Sequence, residues 1–180
     1  MTKPHDVSVL LVEDDNKSAR HIEGITRRET TFSVTRVHSL DEAEQGLLDS
    51  SYSIVLLSLV LSTHTGLSAY ALLRAFTPDL PVVVLAADED ETLALKAVHQ
   101  GAADYLIRSQ IYSTILIRSL KHAMEYSRAE AGKREAITAL TRSELRYRAL
   151  FEQSRDAIFL TDENGCIVES NAAMCGLLTC

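Results

Sequence analysis

The stretch Val7–Asp15, with the sequence VSVLLVEDD, joins an apolar run to three consecutive acids. A short apolar run of this kind is typical of a strand that is buried on both faces of a parallel sheet. A second run, Ile54–Leu57, is wholly apolar and leads into Ser58. Parallel strands end at the same edge of a sheet, and open α/β sheets bind ligands at that edge. We therefore expect the acids and Ser58 to lie close together.

Strand-like and helix-like segments alternate over the first ~125 residues. The apolar pattern predicts five strands, at Val7–Val12, Phe32–Val37, Ile54–Ser58, Val82–Ala86 and about Ala103–Ile107. Helical spacing predicts helices at 16–29, from a capping box at Ser39–Glu42, at about 67–76, after a cap at Asp88, and from about Gln110. Five strands alternating with five helices predict a parallel sheet that is covered by helices on both faces.

The predicted ligand edge gathers five residues at or just beyond strand ends, which are Glu13, Asp14, Ser58, Ala86 and Arg108. A carboxylate at position 58 would join the two acids to hold a hard cation and receive a phosphoryl group. Serine offers a hydroxyl without negative charge. The predicted edge therefore keeps an acid pair but lacks the expected nucleophile.

The region from about residue 125 to 150 is highly charged and free of proline, which predicts one long helix continuing from the fifth. Its a/d series runs through Ala123, Tyr126, Glu130, Lys133, Ile137, Leu140, Glu144, Tyr147 and Phe151. Several of these positions are polar, so the coiled-coil pattern is weak and a solvated single helix is the alternative.

The last thirty residues change character again. Two strand-like segments, Ala157–Asp162 and Cys166–Ser170, flank a hairpin turn at Asp162–Gly165, and a short helix is predicted from Ala172. One hairpin and one helix cannot build a stable core alone. We therefore expect this segment to be the incomplete front of a second domain.

Composition limits the function. The chain has 180 residues, is 46% hydrophobic and carries a formal charge of −7, which argues against nucleic-acid binding. Its apolar runs are too short to span a bilayer and no signal peptide is visible, so we expect a cytoplasmic protein. The three cysteines fall in the last fifteen residues and are interpreted as free thiols. No nucleophile–base pair, metal cluster or Walker loop is present, so we expect no enzyme activity within this chain.

Three motifs on these landmarks, Leu10–Asp15, Leu56–Leu59 and Gly101–Leu106, together resemble the receiver domain of two-component response regulators. The resemblance covers about residues 5–125. It implies a flavodoxin-like, doubly wound α/β fold with five parallel strands in the order 2-1-3-4-5.

The resemblance assigns roles at the acid pair and the acceptor position. Glu13 and Asp14 match the acid pair that holds magnesium in this family, and Ser58 matches the aspartate that accepts the phosphoryl group. Two carboxylates without a third make a weak magnesium site, so we expect no resident cofactor and at best weak magnesium binding.

Further assignments follow on the fourth and fifth strands. Ala86 matches a hydroxyl residue that senses the phosphoryl group, Arg108 matches a lysine that pairs with it, and Ser109 replaces a proline. Tyr105 matches the switch aromatic of the family. Alanine cannot bond a phosphoryl oxygen, and arginine keeps the charge of lysine without its compact geometry.

Three of the five functional positions are thus changed, at Ser58, Ala86 and Arg108. The interpretation is a pseudo-receiver that takes no phosphate and acts by protein contact through its fourth and fifth helices. Two alternatives remain at this stage. They are a phosphoacceptor with altered chemistry and a receiver head on a protein with a cyclic-dinucleotide-type output.

The segments Ser143–Glu152 and Asp156–Asn171 resemble the entry helix and first hairpin of a PAS sensor domain. The resulting organisation is a receiver-like domain at 1–125, a helical linker at 126–142 and a PAS fragment at 143–180. It is similar to the front of a larger sensor protein, such as a hybrid histidine kinase. We expect a homodimer joined through residues 116–151, and partners that are other signalling proteins or domains.

Overall fold

The computed structural model describes residues 7–29, 31–49 and 51–178. The chain forms two compact units, Met1–Ala131 and Gly132–Cys180, and the boundary between them falls within one long helix. No helix in the described ranges is both long and apolar enough to cross a membrane.

The first unit is built on one sheet of five strands, which are β1 (Val7–Val12), β2 (Phe32–Val37), β3 (Ile54–Ser58), β4 (Val82–Ala86) and β5 (Asp104–Ile107). All neighbouring strands pair in parallel, and their order across the sheet is β2-β1-β3-β4-β5. This order confirms the predicted flavodoxin-like α/β fold. The strand order reverses between β1 and β3, which makes their C-terminal ends the switch point where such sheets bind ligands.

Helices cover both faces of this sheet. They are α1 (Asn16–Thr26), α2 (Leu40–Asp49), α3 (Leu67–Phe76), α4 (Glu91–His99) and α5 (Ser113–Gln153). Alternate residues of β1 enter opposite cores, because successive side chains of a strand point to opposite faces. Leu10 and Val12 pack with α2, α3 and α4, whereas Val9 and Leu11 pack with α1 and α5. Two apolar layers therefore hold the strand ends in fixed positions.

Two helix boundaries differ from the prediction. Helix α1 ends at Thr26 instead of residue 29, because the amides of Arg28 and Glu29 make tighter i→i−3 hydrogen bonds. Asp88 does not cap α4. It begins a short 3₁₀ turn, Asp88–Asp90, and its carboxylate accepts a hydrogen bond from Ser109 instead.

The second unit contains the end of α5, an antiparallel hairpin of β6 (Phe159–Thr161) and β7 (Ile167–Ser170), and α6 (Ala172–Leu178). The hairpin turns at Gly165, whose φ of 83° lies in the left-handed region that favours glycine. The helix α5 is 41 residues long, as the uninterrupted polar sequence predicts.

Candidate functional site

The C-terminal ends of β1, β3 and β5 bring three of the predicted residues into contact. Glu13 directly follows β1, Ser58 is the last residue of β3, and Arg108 directly follows β5. The side chains of Glu13 and Ser58 have no exposed surface, whereas that of Arg108 is 24% exposed. The site is therefore a closed polar cluster with a cation at its centre.

One nitrogen atom of Arg108 makes all the contacts that join Arg108 to Glu13 and Ser58. Its Nη2 lies 2.9 Å from Oε2 and 3.1 Å from Oε1 of Glu13, and it donates to Oγ of Ser58. The Nε atom of Arg108 is buried and has no hydrogen-bond partner within the described residues. The guanidinium thus acts here much as a single point charge between β1 and β3.

The hydroxyl group of Ser58 is fully engaged. Besides accepting from Arg108, its Oγ contacts both the amide nitrogen and the carbonyl oxygen of Val60 at 3.2 Å. A serine hydroxyl has one donor and two acceptor positions. All three are used, and no side chain that could act as a general base contacts this oxygen within the described part of the chain.

Burial and pairing act in opposite directions on Glu13. Burial raises the pKa of its carboxyl above the usual value, while Arg108 and hydrogen bonds from Asp15 and Ser18 act to lower that pKa. The amide of Asp15 donates to Oε1 at 3.1 Å, and the hydroxyl of Ser18 donates to Oε2 at 2.9 Å. The carboxylate thus accepts three hydrogen bonds, from Asp15, Ser18 and Arg108, and its Oε2 also forms an ion pair with Arg108 at 2.9 Å.

Asp14 turns away from this cluster toward the loop after β3. Its Oδ2 accepts from the amide of Ser62 at 2.7 Å and from the hydroxyl of Ser62 at 2.5 Å. Burial acts to raise the pKa of Asp14, but the bonds from Ser62 outweigh it and the net pKa is lowered. The two acids of the predicted pair therefore have different partners.

Arg36, on the edge strand β2, is a site residue that sequence reasoning missed. Its Nε and Nη2 donate to the carbonyl oxygens of Glu13 and Asp14 at 2.9 and 3.0 Å, and its Nη1 donates to Oδ1 of Asn16 at 2.8 Å. Arg36 pairs with Leu11 in the β1–β2 register. A basic residue predicted beside the end of β1 was the signal that could have revealed this clamp.

The remaining predicted residues lie along β4 and β5. Ala86 is fully buried and offers only a methyl group. Ser109 donates to Oδ1 of Asp88 and so links the loops after β4 and β5. Tyr105 is half-buried, and its hydroxyl donates to Oε1 of Glu91 on α4 at 3.3 Å. Tyr105 does not contact the Arg108 cluster through any of these bonds.

The residues present do not suit a divalent metal. Among the described residues, no group of three or more potential metal-ligating side chains exists. Both oxygens of Glu13 lie within 3.1 Å of Nη2 of Arg108, and Ser58, the third side chain of the cluster, is neutral. Magnesium favours anionic oxygen ligands in near-octahedral geometry. The side chains of Glu13, Ser58 and Arg108 do not provide such a set of ligands.

In the second unit, Asn171 is a residue whose role sequence reasoning did not foresee. Its side chain is fully buried, and its Nδ2 donates to the carbonyl oxygens of Phe151 and Asp156 at 3.0 and 2.9 Å. Its Oδ1 accepts from the amides of Ile158 and Met174 at 2.9 and 3.0 Å. One amide thus joins the end of α5 to the hairpin and to α6.

A switch-point site carrying an acid pair, on a five-stranded sheet of this order, defines a receiver-type signalling domain. Comparison with known families agrees. The family model for the response regulator receiver domain matches residues 9–118, which is more than half of the chain. The chain therefore belongs to the response regulator receiver domain family of two-component systems. A second family model, the PAS fold, matches residues 145–179.

Individual relatives match this chain at low sequence identity. The chain is 24% identical over 136 residues to the transcriptional regulatory protein ZraR of Escherichia coli, covering 75% of this chain and 30% of that protein. It is 27% identical over 158 residues to the response regulator protein FleR of Pseudomonas aeruginosa, and this match covers 87% of this chain and 33% of that protein. The chain thus spans about a third of the length of these curated relatives.

A solved structure of a sensor protein from Polaromonas sp. JS666 superposes with a TM-score of 0.59 at 26% identity. The match covers 67% of this chain and 97% of that one. The receiver fold is therefore shared along nearly the whole of that structure.

Proposed function

We propose that this receiver domain takes no phosphoryl group at Ser58 and regulates by protein contact. The observation that carries the proposal is the state of the Ser58 hydroxyl. It is fully buried, all of its hydrogen-bonding capacity is used, and its closest ionic partner is a cation. A hydroxyl nucleophile needs an adjacent base to attack a phosphoryl donor. Arg108 cannot serve as that base, because arginine stays protonated in proteins.

The two other altered positions support the same conclusion. Ala86 presents a buried methyl group where a phosphoryl oxygen would need a donor, and Arg108 is already committed to Glu13. Stabilising charge in phosphoryl transfer depends on donors that are positioned for the transferring group. Ala86 supplies no donor, and the Nη2 atom of Arg108 is already engaged by Glu13 and Ser58.

The face formed by α4, β5 and the start of α5 is the contact surface that we propose. Leu95 on α4 and Tyr112 just before α5 are exposed, and the hydrogen bond from Tyr105 to Glu91 joins β5 to α4. Exposed aromatic and aliphatic side chains among polar ones are typical of protein interfaces. The partner is another signalling protein or another domain of the same protein.

We further propose that the chain is the regulatory front of a larger sensor protein, with a histidine kinase as the favoured class. The receiver and PAS matches follow one another along one chain, and the curated relatives are about three times longer.

Association through α5 is part of this proposal. Ile137, Leu140 and Tyr147 are exposed along one stripe of the helix and would pair with a second copy. Phe151, the last residue of the predicted a/d series, is only 5% exposed and stacks on Tyr147 at 5.5 Å between ring centroids. The seam that we propose therefore ends before Phe151.

Amide NMR spectra recorded with and without acetyl phosphate and Mg²⁺ test the proposal. The triple variant Ser58→Asp/Ala86→Thr/Arg108→Lys serves as the positive control for the reagent. We expect superimposable spectra for the natural chain and shifted resonances near position 58 for the variant. Donor-dependent shifts in the natural chain at Ser58, Arg108 and Tyr105 would refute the proposal.

A further inference from the structure

The position of Arg108 has a consequence for metal binding that goes beyond the lack of phosphoryl transfer. We propose that the guanidinium of Arg108 is a resident cation that replaces the family's divalent metal, and that the natural site excludes Mg²⁺. The acid pair is then a partner for this internal cation. Its function is to hold the edge of the sheet together without any ligand.

The first support is the location of the charge. The Nη2 atom of Arg108 lies within hydrogen-bond distance of both oxygens of Glu13 and also donates to Ser58. Glu13 and Ser58 stand at two of the three positions from which the family draws its metal ligands. A cation bound to those same oxygens would meet a guanidinium already in contact with them, and like charges repel strongly in a buried site.

The second support is that both oxygen atoms of Glu13 are already occupied by donors of the protein. An ionised carboxylate offers about four lone-pair positions. In Glu13, Oε1 accepts from the amide of Asp15 and from Nη2 of Arg108, while Oε2 accepts from the hydroxyl of Ser18 and lies 2.9 Å from the same Nη2. A metal at Glu13 would have to displace at least one of these donors, leaving a buried polar group without its partner.

The third support is the orientation and charge of the remaining ligands. Asp14 directs Oδ2 to Ser62, and Ser58 contributes no charge. Two carboxylates and one guanidinium leave a net charge of −1 on Glu13, Asp14 and Arg108 together. Magnesium sites with so little anionic oxygen retain the ion weakly, because the ion keeps its water instead.

The internal cation also explains how the edge is closed. Arg108 follows β5 and bonds to residues at the ends of β1 and β3, while Ser109 bonds to Asp88 after β4. Four strand ends are therefore connected by side chains of the protein alone. On this proposal, the ligand edge of the domain stays in one conformation. It does not change between two conformations when a ligand binds.

Calorimetric titration with MgCl₂ alone tests this inference on the natural chain, Arg108→Gln and Arg108→Lys. Glutamine removes the charge and shortens the side chain, whereas lysine keeps the charge. We expect no saturable binding by the natural chain up to ~10 mM Mg²⁺, and binding at least about tenfold tighter by Arg108→Gln. Arg108→Lys should lie between them. Folding of each variant is checked by circular dichroism.

A second measurement needs no variant of Arg108. Mn²⁺ added to the isotope-labelled natural chain broadens amide signals near any bound ion. We expect no selective broadening at Glu13 or Ser58. Selective broadening at Glu13 or Ser58 that disappears in Asp14→Asn would overturn the inference. In the calorimetric titration, a folded Arg108→Gln variant that binds Mg²⁺ no better than the natural chain would also overturn it. Metal binding without phosphorylation of Ser58 would refute this inference and leave the proposed function standing.

Discussion

Nη2 of Arg108 lies 2.9 Å from Oε2 of Glu13 and connects residues that are 95 positions apart in sequence. The pair joins the end of β5 to the end of β1, across the two strands that lie between them in the sheet. The Glu13 side chain has no exposed surface. Removing one partner of such a pair costs about 3–5 kcal/mol, because the other charge is left buried and unpaired. A substitution of either Glu13 or Arg108 alone should therefore destabilise the domain.

The Asp14–Ser62 contact should make stability depend on pH. The folded pKa of Asp14 is lowered, so its contribution is present above the ordinary value of 3.8 and is lost as the pH falls through the folded pKa. Ser62→Ala should therefore lower stability at neutral pH and match the natural chain in strong acid. Urea unfolding at several pH values checks this, with Thr63→Ala as the control. An equal deficit at every pH would contradict the assignment.

The Arg36 clamp should hold the turn after β1 in place. Arg36→Ala removes three hydrogen bonds to Glu13, Asp14 and Asn16 and should lower the free energy of unfolding by about 1–3 kcal/mol. Amide exchange at Asp15 should accelerate more than exchange in β4. Arg20→Ala, an exposed position on α1, is the matched control. An unchanged amide exchange rate at Asp15 in Arg36→Ala would show that the turn after β1 does not depend on Arg36.

The Asn171 side chain should hold the second unit together. Asn171→Ala removes the side-chain partner of the carbonyls of Phe151 and Asp156 and of the amide of Ile158, at a cost of about 2–3 kcal/mol. We expect faster proteolysis between α5 and β6 than in the natural chain. Gln153→Ala, an exposed amide at the end of α5, should have no such effect. Equal cleavage rates for both variants would contradict this role.

The exposed stripe of α5 should pair two copies of the chain. Light scattering is expected to give a dimer mass at about 100 µM. Ile137→Asp and Leu140→Asp should shift the chain toward monomer, because a charge on the seam is desolvated on pairing. Thr138→Asp adds the same charge to another face of the helix and should have little effect. A monomer for the natural chain would remove helical pairing from the account and leave the receiver assignment intact.

The fold followed from the sequence because its signals are local and repetitive. Apolar runs and one alternating apolar–polar segment predicted the five strands, and the alternation of strands with helices predicted the parallel sheet, since βαβ units permit few other arrangements. Boundaries were less accurate where a side chain had a choice of partners. Aspartate is a common residue at helix N-caps, which is why the sequence predicts that Asp88 caps α4. In the structure its carboxylate instead accepts a hydrogen bond from Ser109, a contact that the sequence does not reveal.

The site was predictable as a set of positions and not as a set of contacts. Strand ends and a family resemblance placed Glu13, Ser58 and Arg108 at one edge. Their mutual bonding depends on the direction of the Arg108 side chain, and sequence does not specify that direction. The same holds for Arg36: its basic side chain next to the end of β1 is visible in the sequence, but two of its three partners are backbone carbonyl oxygens, which the residue types do not reveal.

A single restored residue should not restore phosphoryl transfer. Ser58→Asp supplies a carboxylate, but Ala86 still lacks a donor and Arg108 would still pair with the acids. We expect little acetyl-phosphate labelling of the single variant, and more than additive labelling of the triple variant Ser58→Asp/Ala86→Thr/Arg108→Lys, because the groups act as a unit. Intact-mass measurement gives the labelled fraction of each.

The central claim is tested most directly by the natural chain in the same experiment. The account predicts no gain in mass after acetyl phosphate and Mg²⁺ treatment, whereas a stable gain of one phosphoryl group mapped to Ser58 would contradict it.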